Sequence, residues 1–291
     1  MGRGWLFLAA VWLLAATPAA AQQQQRDPFN GQFGVIELTP PPAEAAQEAQ
    51  LMGDALRNLQ PQRPGQQDVY VITAAMWGDP VFASEATQAE AMLRQHLGAE
   101  GRSIVMVASG PGPRTYPAAT PNNLAAAIGR VGSLIDPNED LVVIFMTTHG
   151  APDGTAAIRE HNRMFAGLRP THLASLLNQA NIRNRVVIVS SCFSGAFIAP
   201  LANENTIVLT AAQHDRSSFG CRPENEWTFF GDALFNHGMR NGENLLEAFD
   251  SAKRLVERWE REQNLSPASN PQKYVGPHAE EMLRRAERAA R

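Results

Sequence analysis

Cysteine is scarce in this chain: Cys192 and Cys221 are the two thiols in 291 residues. A fold stapled by a disulfide framework is thereby excluded. A single bond between the two stays open, and it would silence Cys192; Cys221 could equally be a buried, inert thiol. Basic excess is lacking too. The formal net charge is −4, so there is no electrostatic footprint for nucleic acid. Beyond residue 21 no apolar run is long enough to span a bilayer. Several reactive signatures are missing. The loop from Gly110 to Pro113 lacks the Lys-Ser/Thr ending of a phosphate cradle, and Ser194 does not sit in Gly-x-Ser-x-Gly. His161, His214 and Asp215 match no compact ligand spacing. No metal and no organic cofactor is expected, and no internal repeat is visible.

What is present begins with a leader. Arg3 precedes an apolar run from Trp5 to Ala16, Thr17-Pro18 breaks it, and Ala19-Ala20-Ala21 offers a small-residue cleavage site. This reads as a secretory signal peptide over residues 1–21, too short to be a spanning helix. Its removal leaves 24 basic against 29 acidic residues, a net charge of −5. The mature protein is expected to be exported, with the periplasm favoured over the external medium, because no lipid-anchor cysteine or wall-binding segment is seen. It should not remain inserted in a membrane.

Residues 22–66 carry a Gln-rich tract, Pro40-Pro41-Pro42 and a second Pro/Gln-rich stretch. They are expected to form a flexible, partly helical extension, with one helix over Glu44–Leu59. Residues 67–291 are long enough for one substantial core. Strands are expected over Asp68–Ala75, Arg102–Ala108, Leu141–Thr148, Arg185–Ser191 and Asn205–Ala212. Helices are expected over Glu85–Leu97, Thr120–Ile128, Pro170–Ala180, Thr228–Phe235, Leu245–Arg261 and Ala279–Ala290, with a turn at Asn270-Pro271-Gln272. The strand runs are continuously apolar, as in parallel strands covered on both faces. Strands and helices alternate. The expected fold class is α/β: a three-layer α/β/α sandwich with a mainly parallel central sheet.

Two strand ends carry the chemistry. Leu141–Thr148 runs into His149-Gly150, and Val186–Ser191 runs into Cys192-Phe193-Ser194-Gly195. If these strands are neighbours, His149 and Cys192 meet at the carboxyl edge of the sheet, where open α/β sheets place ligands. A cysteine nucleophile with a histidine base follows. Gly150 lets backbone approach a substrate closely, and the amides of Gly150 and Cys192 could hold an oxyanion. A helix after Gly195 is limited by Pro200 to little more than a turn.

These segments, with Val69-Tyr70-Val71-Ile72 and the stretch from Leu209 to Cys221, resemble the legumain-type cysteine peptidases of the caspase-like fold, and in particular their bacterial secreted branch. The resemblance covers the chain from Asp68 onward. It implies a His149–Cys192 dyad, an oxyanion held by Gly150 and Cys192, and hydrolysis of peptide or protein substrates through an acyl-enzyme, or transpeptidation. A non-catalytic peptide-binding or envelope-assembly module on the same fold is the alternative. Thr148 and Phe193 stand where legumain-type enzymes commonly carry acidic residues, so asparagine specificity does not carry over. The resemblance also implies a specificity pocket built from Met76–Asp79 and Gln213–Ser217. Asp79, Asp215 and Glu85 could select a basic side chain or an amide. Arg216 could neutralise Asp215 or receive an acidic group. Trp77 and Phe219 are candidate walls, and Ser217 a further contact.

Overall fold

The structure is a computed structural model that describes residues 1–2, 36–108 and 114–291. The expected signal peptide, the Gln-rich start of the extension and the loop from Gly110 to Pro113 lie outside the described residues. Five apolar runs make a parallel array: β2 (Val69–Ala75), β3 (Ser103–Val107), β4 (Leu141–Thr147), β7 (Arg185–Ser190) and β8 (Thr206–Thr210). A short antiparallel strand, β9 (Gln272–Val275), closes one edge. The spatial order is β3-β2-β4-β7-β8-β9. Every residue of β2, β4, β7 and β8 is buried, which is why these strands read as unbroken apolar runs rather than alternating ones.

Helices cover both faces. On one lie α1 (Pro42–Arg57), α3 (Pro121–Leu134), α4 (Pro170–Gln179) and the short α5 (Ile198–Leu201), packed on Ile72, Ile144 and Val187. On the other lie α2 (Pro80–His96), α7 (Leu245–Glu262) and α8 (Pro277–Ala289), packed on Val71, Phe145 and Ile188. Alternate residues of each strand thus feed opposite cores, and the architecture is the three-layer sandwich expected.

The differences are local. Proline sits at the first turn of α1, α2, α3, α4 and α8, where its missing N–H costs nothing. Three of these helices therefore begin earlier than expected: α2 starts at Pro80 rather than Glu85, α1 at Pro42 and α8 at Pro277. Where a single helix was expected over Thr228–Phe235, the chain makes a one-turn α6 (Phe229–Gly231) followed by a π-helix over Asp232–Gly238. A hairpin of β5 (Ala156–Glu160) and β6 (Met164–Leu168) was not anticipated. Nor was its third strand, β1 (Ile36–Glu37), which pairs antiparallel with β6.

That third strand and α1 join the described part of the extension to the domain. Met52 of α1 lies in the core. Glu48 accepts from the Ala118 N–H at 2.9 Å and pairs with Arg114 at 3.2 Å. Glu44 pairs with Arg163 at the hairpin turn.

Candidate active site

In the central sheet β4 and β7 are parallel neighbours, and Thr147 is in register with Ser190. His149 and Cys192 each stand two residues beyond that pair, at the carboxyl edge. The Thr148 N–H donates to the Ser190 carbonyl at 3.1 Å, extending the ladder by one step. Beyond it, the chain after His149 turns back into β5, with Ala157 N–H donating to the His149 carbonyl at 2.9 Å. Gly150 packs so tightly on Cys192 that a Cβ there would collide with the Cys192 carbonyl. Only glycine fits that approach.

His149 is half-buried in an aromatic notch. Trp77 and Phe82 each meet its ring edge-on, with centroids 5.0 Å away. Its Nε2 lies 3.4 Å from Oδ2 of Asp79, the residue just before α2. Burial pulls the imidazole below its usual value, and the Asp79 carboxylate pulls it partly back. The ring is therefore neutral at pH 7, the state a general base requires. His149 and Cys192 make no hydrogen bond to each other among the described contacts. Catalytic hydrogen bonds often tighten only once substrate is bound.

Cys192 is half-buried, and Ser218 is its polar neighbour. The Ser218 N–H donates to Sγ at 3.3 Å, while the Ser218 carbonyl and hydroxyl lie 3.6 and 3.7 Å away. Phe193 follows in the left-handed region, φ 58°, a conformation that costs energy for a bulky residue. Its N–H donates to the Arg216 carbonyl at 2.7 Å, which ties the turn after Cys192 to the 213–219 segment. Neither the Gly150 nor the Cys192 N–H donates to any described residue. Ser194 is fully buried and receives the Ala212 N–H at 3.1 Å, a structural tie. Both thiols are free. Burial, with the neighbouring Cys192 next in weight, pushes the Cys221 thiol up to about 12, so it stays protonated and unreactive.

The expected pocket residues divide into three groups. Trp77 and Asp79 are at His149. Asp215 and Arg216 pair with each other, Oδ1 to Nε 3.5 Å, on the rim, and Ser217 is exposed beside them. Glu85 is elsewhere: it lies inside α2, fully buried, with its carboxyl taking hydrogen bonds from Thr147 and Thr228. It cannot reach a substrate at the edge. Sequence reasoning missed Phe82 and Ser218. The Gly78-Asp79-Pro80 helix-start signal was available and would have put Asp79 and Phe82 at the carboxyl edge. Among the described residues no group of three His, Cys, Asp or Glu side chains could hold a metal ion, and no helix is long and apolar enough to cross a membrane.

The fold is caspase-like. The crystal structure of caspase-1 from Spodoptera frugiperda superposes with a TM-score of 0.50 over 75% of this chain and 93% of that one, at 10% sequence identity. The structure of pro-sf-caspase-1 covers 75% and 92%, with a TM-score of 0.49 and the same identity. No curated protein matches. Residues 112–277 match the Peptidase C13 family, more than half of the chain, and the protein belongs to that family. The match begins after β3, so the segment bearing Trp77 and Asp79 stands outside it.

Proposed function

We propose that the protein is a cysteine endopeptidase with Cys192 as nucleophile and His149 as general base and acid. One observation carries the reading: β4 and β7 are in register, so that His149-Gly150 and Cys192 abut at the carboxyl edge of the sheet. Membership of a cysteine-peptidase family supports it.

An extended peptide lies across this edge with its scissile carbonyl over Cys192. The Asp79 carboxylate accepts from Nε2–H of His149, which leaves Nδ1 unprotonated and able to take the thiol proton. The thiolate attacks the carbonyl carbon. The oxyanion is received by the Gly150 and Cys192 N–H groups, which have no other described acceptor. His149 gives the proton to the departing amine, and a thioester remains. Water enters, loses a proton to His149 and attacks the thioester carbon; the C–S bond breaks, the acid leaves, and His149 returns its proton to the Cys192 sulfur. Asp79 touches neither substrate nor reacting atom, so it is a positioning residue.

On the rim, Asp215 is neutralised by Arg216. This favours a polar, uncharged side chain before the cut over a strongly basic one. The leader-like residues 1–21 and the likeness to the bacterial secreted branch support an exported enzyme, acting in the periplasm. Mass spectrometry of a denatured-protein digest tests the reading. Wild type should yield new internal cleavages, and Cys192→Ala and His149→Ala none. Stoichiometric peptide binding without cleavage by wild type would move the reading to a binding module.

A further inference from the structure

Glu85 takes no part in the steps above, yet it is the carboxyl buried directly beneath them. Thr147 and Ser190, the register partners that end β4 and β7, turn their hydroxyls to the same face of the sheet. Thr147 Oγ1 donates to Glu85 Oε2 at 3.1 Å, and the Ser190 hydroxyl joins the same carboxyl through Thr228. From a third element, Thr228 donates through its N–H to Oε2 at 3.3 Å and through Oγ1 to Oε1 at 3.1 Å. Because the Thr228 hydrogen goes to Glu85, the Ser190 hydroxyl is the donor to Thr228 Oγ1 at 3.0 Å, which ties the end of β7 into the network. The first turn of α6 is moulded around it: a Cβ at Gly231 would collide with the carboxyl. A site needed only for packing would be filled by an apolar side chain, because a buried carboxyl is costly to desolvate.

We infer that Glu85 is a positioning residue for the dyad, a single buried carboxyl that clamps the ends of β4 and β7 and so fixes the separation of His149 and Cys192. The inference rests on the peptidase reading of the site. Thr147 lies two residues before His149, Ser190 two before Cys192, and Thr228 ten after Ser218, which touches the Cys192 sulfur. One group therefore joins the three segments that converge on the thiol.

The clamp depends on pH. None of the interactions that set its protonation is with a cation, and burial pushes the carboxyl up to about 7 while its donors pull it down. Among the described residues the titratable group that shares its field is the Cys221 thiol in the 219–228 segment. The other groups facing it, from β4, β7 and the start of α6, are neutral hydroxyls and an amide. As a carboxylate Glu85 accepts from every donor. As an acid it must donate one hydrogen, which turns one hydroxyl away. The positioned form is thus the ionised one, and turnover should rise through an inflection near pH 7.

Glu85→Gln, whose amide donates at every pH, tests this. Folding is checked by circular dichroism, and kcat, KM and their pH profiles are compared with wild type. The expected result is kcat about tenfold lower above pH 8, KM within twofold, and the two enzymes converging below pH 6 as the inflection disappears. Thr147→Val, which removes only the link to the His149 strand, should also lower kcat. It is the second variant should Glu85→Gln not fold. Rates of Cys192 alkylation by iodoacetamide are read in parallel and need no peptidase activity. Folded variants with wild-type kcat, alkylation rate and pH profile would overturn the inference. A wild type that cleaves nothing, but whose alkylation rate falls in Glu85→Gln, would sink the peptidase reading and leave the clamp standing.

Discussion

Asp79 and Gly150 make the strongest single-residue predictions. The Asp79 carboxylate favours the imidazolium and also holds the ring. Asp79→Asn should lower kcat/KM at pH 7 by about 10- to 100-fold, no more than the low end of what a general base contributes, because the base itself is retained. Because a charge that favoured protonation is gone, the acid limb of the profile should move to lower pH. A pH–rate series reads both effects. Gly150→Ala forces a methyl onto the Cys192 carbonyl. It should abolish turnover and lower the melting temperature, which scanning calorimetry can follow. At this scale the sequence was partly legible. His149 and Cys192 stood out because each ends an apolar strand run. Asp79 and Glu85 read as members of one pocket because both follow the first core strand closely in sequence. What separates them is that α2 begins at Pro80: by Glu85 the helix has turned the side chain inward, toward Thr147, and linear proximity does not encode that turn.

Among the elements, the parallel strands were legible because burial on both faces leaves long apolar runs. The β5–β6 hairpin was not. Its strands are five residues each and carry Arg159, Glu160 and Gly167, so no run is continuous enough to register. Yet it presents Arg159, whose guanidinium stacks 5.2 Å from the Trp77 ring that in turn meets His149. Strand β9 was hidden because it is half-exposed and follows Pro271. Helix α7 shows the reverse case, a start written plainly in sequence. Asn244 accepts from the Glu247 N–H at 3.0 Å, and Glu247 reaches back to the Asn244 N–H. Asn244→Ala should cost about 1 kcal/mol in urea denaturation and leave turnover unchanged, because the cap is exposed and contacts nothing at the dyad.

For the molecule as a whole, buried carboxyls set how stability follows pH. Glu85 has a folded value near 7 against an ordinary 4.5. Its contribution is complete below 4.5 and is lost as pH rises through 7, because the unfolded chain releases the proton first. The loss totals roughly 3 kcal/mol. Asp140 and Glu260, also raised by burial, act with the same sign. His149, lowered by burial, acts with the opposite one: its contribution is present above 6.5 and is lost as pH falls. Glu85 is the more deeply buried, so its sign should prevail. Urea denaturation should find wild type more stable at pH 5 than at pH 8, and Glu85→Gln should remove about 2 kcal/mol of that difference.

The dyad itself is tested most directly by trapping the acyl-enzyme. Wild type, Cys192→Ala and His149→Ala are mixed with a cleavable peptide, quenched in acid within milliseconds to seconds, and analysed by intact mass and peptide mapping. The account predicts an acyl adduct on Cys192 in wild type alone, with the mass of the amino-terminal fragment and loss of the adduct at longer times. Cleavage of the peptide with no adduct on Cys192, or cleavage that persists in Cys192→Ala, would contradict it.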